Sequence, residues 1–412
     1  MGVRQTLAEL AVRGVHVLTV EVPGQWVTRS HLQRHILDRG WRDALSAADA
    51  DVLAVCGVPG PELSAVIDRI WDQLPGPRVR IDVPGPSHVE AQLDRAAAEL
   101  LHDDRQRADA RSRPQRPHIS ADGDHGDMDH GDMDHGDMDH GDMDHGGMDH
   151  GGMDHGGMDH GGHGEMDHGG MDHGGMDHGD MDMDMAPEGI ALAQGTEDRD
   201  GLEMDALHLR LGPVLPYWPA GLVLRCSING DVITEARAWI VGAARHAGDR
   251  SESSPLDGAL GAARECDHIH DVLALVGWPR GAAIARRCRD LLLADENENA
   301  VRLLGKLQRA VRRSVLLRWS LRDVGLLTRQ ELGRRRLPAA LEGDAYTRLL
   351  TRSDVMGDLV SDPLMVNPFH VDTRTVTEAL PHLVGGLDIA TARLTVAGLG
   401  IETSLHAGVG AP

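Results

Sequence analysis

Apolar positions follow different rhythms in different parts of this chain. In the first hundred residues, short runs at 15–22 (VHVLTVEV), 51–57 (DVLAVCG) and 78–83 (RVRIDV) have the length and β-branched content of strands. Stretches at 30–47, 61–74 and 87–101 between and after them read as helices. Strands alternating with helices predict a parallel sheet with helical crossovers, an α/β unit. Ligands of such sheets bind beyond the carboxyl ends of the strands, here the loops at 23–26, 57–61 and 84–88.

The pattern changes after residue 200. Three strand-like runs, 207–213, 221–228 and 231–240, lie close together, and Asn229-Gly230 marks a tight hairpin. Helical spacing then dominates, which predicts an α+β, mainly helical domain opening with an antiparallel hairpin. Within 301–319, Leu304, Leu307, Val311 and Val315 share one helical face, and Arg302, Lys306, Arg309 and Arg313 share the other. Residues 301–336 carry eleven basic side chains against Asp323 and Glu331. A solvated Arg-rich surface accounts for such a run; so would docking of an acidic partner, an anionic lipid surface or the protein's own acidic segment. Ten aromatic residues, none clustered with the arginines, argue against nucleic acid.

Between these halves neither period holds. From His125 a histidine recurs every five residues through His130, His135, His140, His145, His150, His155 and His160. After a slip at His163 the spacing resumes at His168, His173 and His178. The units read HGDMD and later HGGMD, so Met128, Asp129, Met133, Asp134, Met138 and Asp139 repeat in step with the histidines. A period of five matches no regular structure, and methionine is the only large apolar side chain, so the tract is expected to be disordered when metal-free. Imidazole and carboxylate suit Ni, Cu(II) and Zn, and a thioether adds affinity for Cu(I). Several ions should bind with pH-dependent affinity, because histidine ligates when neutral. The bland alternative is a slippage-expanded linker whose metal binding is incidental.

Charge separates the tract from the rest. The chain has a formal net charge of −24, but residues 122–185 hold 20 acidic groups and no Lys or Arg, leaving 45 acidic against 41 basic elsewhere. The expected organisation is an α/β domain at 1–105, a linker with the repeat array at 106–200 and an α+β domain at 201–412. No apolar run approaches a membrane span, and Glu9 and Arg13 interrupt any signal-like segment, so a cytoplasmic protein is expected. Cys56, Cys226, Cys266 and Cys288 form no CxxC pair and are expected to remain thiols. A local cluster, Glu265-Cys266-Asp267-His268-Ile269-His270-Asp271, places Cys266 and His270 one helical turn apart. With His268 they are a candidate start of a metal site, though a helix with a few polar residues and a core cysteine explains the segment equally well.

Residues 48–83, ADADVLAVCGVPGPELSAVIDRIWDQLPGPRVRIDV, resemble the iron–sulfur small subunit shared by respiratory complex I and [NiFe] hydrogenases. The resemblance rests on the strand ending at Gly57 and the Trp-Asp-Gln-Leu-Pro sequence at 71–75, and it implies a flavodoxin-like parallel sheet. In that family cysteines in the loops matching 23–26 and 84–88 help hold a [4Fe–4S] cluster. Here those loops read PGQW and PGPSH, so no cluster is expected; Cys56 reads as a core residue, and His88 is a lone loop histidine. Residues 205–400 resemble, most clearly in the opening hairpin, the large 49-kDa-type subunit of the same enzymes. Its Gly-Pro-x-His-Pro loop is matched by residues 212–216, with Leu215 where the quinone-site histidine stands.

The resemblance implies a fusion of cofactor-less small- and large-subunit relatives. Its expected role is a non-catalytic accessory, scaffold or assembly protein partnered by hydrogenase or complex I-like subunits. It would reach the inner face of the membrane only through such a complex. Two further readings are a cytoplasmic Ni, Cu or Zn storage or resistance protein, and an oxidoreductase subunit whose cofactors come from partner chains.

Overall fold

A computed structural model describes residues 14–113, 194–197, 203–242, 258–362 and 364–403. The repeat array with its histidine, aspartate and methionine positions lies outside the described residues.

The N-terminal segment is a parallel sheet of β1 (His16–Glu21), β2 (Arg42–Asp43), β3 (Val52–Cys56) and β4 (Val79–Val83), in the order β2-β1-β3-β4. All five residues of β3 are buried, because both faces of this central strand are covered. Val52, Ala54 and Cys56 pack against Leu32 and Ile36 of α1 (Trp26–Asp38) and Val89, Leu93 and Ala96 of α3 (Val89–Leu100). Leu53 and Val55 face the other way, toward Leu63 and Ile67 of α2 (Pro61–Gln73). A further helix, α4 (Asp103–Ser112), closes the segment; its Asp109 accepts from Arg78 at 3.0 and 3.1 Å.

In the second half β5 (Gln194–Glu197), β6 (Glu203–Leu211), β7 (Leu222–Asn229) and β8 (Val232–Ile240) form an antiparallel sheet in chain order. Gly230 takes φ 63° at the β7–β8 turn, the left-handed conformation that the Asn-Gly pair predicts. Leu222, Leu224, Cys226 and Ile228 of β7 pack on α11 (Thr373–Val384) and α12 (Ile389–Leu399). A second core joins α5 (Gly258–Leu275), α6 (Pro279–Leu292), α7 (Asn297–Arg313), α8 (Val315–Leu321) and α10 (Ala345–Ser361), with α9 (Arg329–Arg335) lying between α8 and α10 in sequence. Three of the later helices begin on the same Asp-x-x-Thr device: Asp344, Asp372 and Asp388 accept from the amides of Thr347 (2.8 Å), Thr375 (3.1 Å) and Thr391 (2.9 Å).

Residues before and after the array belong to one compact unit. The outer face of the parallel sheet shares its core with Val223 and Val241 from the antiparallel half, and Trp26 of α1 enters the helical core. Gly221, at φ 70°, marks a close approach: a Cβ there would lie 2.7 Å from Pro23 Cγ and 2.5 Å from the Val241 carbonyl.

One local expectation is corrected. Val315 does not continue the apolar face of Leu304, Leu307 and Val311, which are buried; it is 81 % exposed. The helix breaks at Ser314, whose side chain accepts from the Leu317 amide at 3.2 Å and starts α8 in a new phase. Leu317 and Leu321 then carry the buried face.

Candidate functional site

Among the described residues, helix α5 supplies more buried polar side chains than any other helix. Thirteen of its residues are buried, including Arg264, Glu265, Asp267, His268 and His270. A helix buried on nearly all sides must find partners for each charge. Asp267 finds three: its Oδ2 accepts from Arg264 Nη1 at 2.7 Å and from Arg29 of α1, and its Oδ1 accepts from Arg289 Nη1 of α6 at 2.7 Å. Gln33 Oε1 accepts from both Arg29 and Arg289 at 2.9 Å, Glu21 accepts from Arg29, and Asp290 accepts from Arg289 at 2.9 and 3.0 Å. Three arginines thus meet three carboxylates, and the network crosses between the segments on either side of the array. Burial alone would raise the Asp267 carboxyl, but Arg29, Arg289 and Arg264 hold it well below the usual range.

A second pair lies beside it. Glu265 accepts from Arg352 of α10, and its Oε1 accepts from Asn367 Nδ2 at 2.6 Å. Arg352 also donates to the Leu399 carbonyl at 2.7 Å and lies 4.1 Å over the Phe369 ring. On the same helix Arg348 donates to the Gly343 carbonyl at 2.6 Å; burial and the nearby Arg352 push its pKa down to about 10.

Between β1, β2, the 213–220 loop and α5 opens a cleft of about 120 Å³. Four buried polar atoms on residues that line it have no hydrogen-bond partner: Thr19 Oγ1, Asp43 Oδ1, Arg264 Nε and His268 Nε2. Burial, followed by Arg264 and Arg352, holds His268 well below its ordinary pKa, so the imidazole is neutral at pH 7. His270 pairs through Nδ1 with Asp271 at 3.0 Å and meets the Tyr217 ring edge-on at 5.7 Å. Tyr217 itself is at φ 57°. The loop before it is fixed at Gly212, φ 80°, where a Cβ would lie 2.0 Å from the Leu222 carbonyl. Trp218 Nε1 donates to that same carbonyl at 2.8 Å. Leu215 lines the cleft and packs against the sheet core.

The three local metal candidates face different surroundings. His268 and His270 line the cleft, whereas Cys266 is turned into the helical core, its Sγ 3.2 Å from Met356 Sδ. Among the described residues, no group of three or more His, Cys, Asp or Glu is arranged to hold a metal ion. The residues at the strand ends do not fit a [4Fe–4S] cluster. Cys56 is wholly buried, and burial pushes its thiol far up, while the 23–26 and 84–88 loops contain no cysteine. His88 is exposed beside Ser87, whose Oγ is 3.3 Å from its Nδ1.

Sequence reasoning singled out the segment 265–271 but not its partners. The signal was the one-turn spacing of Cys266 and His270; Asp267, between them, is where three arginines converge. No protein-family model matches the chain, and no curated protein is significantly similar to it.

Proposed function

We propose that this protein is a non-catalytic accessory or assembly protein, a fused pair of small- and large-subunit-like halves carrying a multi-site transition-metal tract. The Arg29–Asp267–Arg289 network carries the reading. It fills the junction between the halves with matched, hydrogen-bonded charge, as expected where two subunits have become permanent internal partners. On the subunit resemblance, the loops that would hold cofactors offer Leu215 and cysteine-free turns instead.

The array adds the second half of the role. Twelve histidines with interleaved aspartates and methionines suit nickel, copper or zinc, and inserting a long segment between two packed halves costs little closure entropy. On this reading the tract presents metal to hydrogenase or complex I-like subunits that the folded unit engages.

Gentle affinity purification from cells that make the protein natively, with mass spectrometry and elemental analysis of the same sample, tests this. Co-purifying redox-enzyme subunits are the expected result. A lone protein carrying several nickel, copper or zinc ions would replace it with metal storage. A visible absorption band with stoichiometric iron would replace it with an oxidoreductase role.

A further inference from the structure

The break at Ser314 has an outward consequence. By restarting the helix in a new phase it turns Leu317 and Leu321 inward and leaves Val315, Leu316 and Trp319 at 81, 72 and 77 % exposure on the outer face of α8. Trp319 lies four residues after Val315 and three after Leu316, spacings that share a helical face, so it joins the three side chains into one apolar patch. Trp319 is the only exposed tryptophan of the seven; the other six are buried or half-buried.

Cationic side chains surround this patch in the sequence. Arg309, Arg313 and Arg318 are exposed, and none has an acidic partner among the described residues. Arg312 and Arg322 add two more exposed guanidinium groups; these pair only with the exposed Asp354 (2.6 Å) and Asp323 (3.5 Å). Tryptophan, leucine and valine on an outward face, flanked by arginines with long apolar stems, suit the boundary between lipid headgroups and acyl chains. The indole sits at headgroup depth, the aliphatic side chains reach the acyl boundary, and the guanidinium groups meet lipid phosphates. A soluble acidic protein would satisfy the arginines but would not by itself require an unpartnered Trp-Leu-Val face.

We propose that the α7–α8 corner is a peripheral membrane-docking surface, in which Val315, Leu316 and Trp319 insert shallowly into an anionic bilayer and Arg309, Arg313 and Arg318 contact its phosphates. This goes beyond the accessory role above and needs no partner complex to reach the membrane. No helix among the described residues is long and apolar enough to cross one; shallow insertion of three side chains beside arginines is a reversible attachment that salt weakens.

The test uses the full chain with vesicles of phosphatidylcholine alone and with about one third phosphatidylglycerol. Cosedimentation is expected with the anionic vesicles, falling at high salt. Tryptophan emission should shift to the blue on binding. Trp319→Phe should bind while losing that shift, and the triple variant Val315→Ser, Leu316→Ser, Trp319→Ser should bind at least about tenfold more weakly. These positions are solvent-facing, so an unchanged thermal melt will confirm that the variants fold. Three results would each overturn the proposal: no binding of the unmodified chain to anionic vesicles, equal binding by the triple variant, or self-association that the triple variant abolishes. The last would assign the patch to a second copy of the chain.

Discussion

Arg29 and Asp267 are 238 residues apart in the chain and form an ion pair whose side chains are 13 and 1 % exposed. Asp267 also holds Arg264 and Arg289, so its removal leaves three guanidinium groups at a buried junction without their common acceptor. Breaking one partner of a buried pair costs about 3–5 kcal/mol, far more than a surface pair is worth. Asp267→Ala should therefore lower the denaturation midpoint sharply, measured by circular dichroism in urea. Asp267→Asn should fall between it and the unmodified protein. A change within experimental scatter for the alanine variant would mean the junction is held by its apolar contacts alone.

Stability should decline as the solution is acidified below about pH 6.5, and His268 should account for a separable part of that decline. Its folded-state pKa is depressed, so the unfolded chain takes up a proton that the folded chain refuses. The stabilising contribution is complete above the unfolded value and is lost as pH falls toward the folded one, at no more than about 1.4 kcal/mol per pH unit for one site. Unfolding curves at pH 7.5 and 5.5 for the unmodified chain and His268→Leu measure it. The variant should show the shallower pH dependence.

Gly212→Ala should destabilise the cleft loop by roughly 2 kcal/mol or more, since the new methyl would meet the Leu222 carbonyl at 2.0 Å in a backbone conformation that disfavours side chains. Gly230→Ala is the matched control. Gly230 shares the positive φ, at 63°, but nothing lies within 4 Å of its Cβ position, so its cost should be about 1 kcal/mol. Equal losses would show that backbone strain, not the collision, sets the cost.

Replacing residues 122–185 with a Gly/Ser linker of equal length should leave the thermal melt of the folded unit unchanged and abolish most uptake of Ni, Cu and Zn. In the unmodified chain that uptake should weaken below about pH 6 as the histidines protonate. Calorimetric titration with each metal at pH 7.5 and 5.5 measures both effects. Retained uptake of several ions by the replacement would move the metal chemistry into the folded halves.

Local structure was the legible part of this sequence. A run such as Val52–Cys56, apolar at every position, announces a strand covered on both faces, and Asn229-Gly230 announces its turn. The spacing predicts the first long helix at 30–47, but it spans Trp26–Asp38, because Gly40, at φ 75°, ends the turn and the chain returns as the two-residue strand Arg42–Asp43. That strand is too short to have a period. Val315 departs from the helical pattern for a related reason: periodicity cannot register a phase reset at a single serine.

The junction was hidden more deeply. Arginine is ordinarily a surface residue, yet Arg289, Arg348 and Arg352 are among the largest fully buried side chains here. Nothing near Arg29 in the sequence points to Asp267, since the pairing exists only once the halves meet. The cluster 265–271 was visible; the partners of its charges were not.

That separation sets a timetable for synthesis. The N-terminal half leaves the ribosome with Arg29 and Trp26 already in place, but Asp267 follows 238 residues later. At roughly 5–20 residues per second the nascent chain waits about 10–50 s for Asp267. Much of that interval is spent translating the array and its flanks. A product released early would leave Arg29 with Glu21 and Gln33 alone and the Trp26 indole uncovered, the kind of apolar surface that chaperones and proteases recognise. The ion-pair centre therefore also acts as a completeness check: only a chain translated beyond Arg289 can close it.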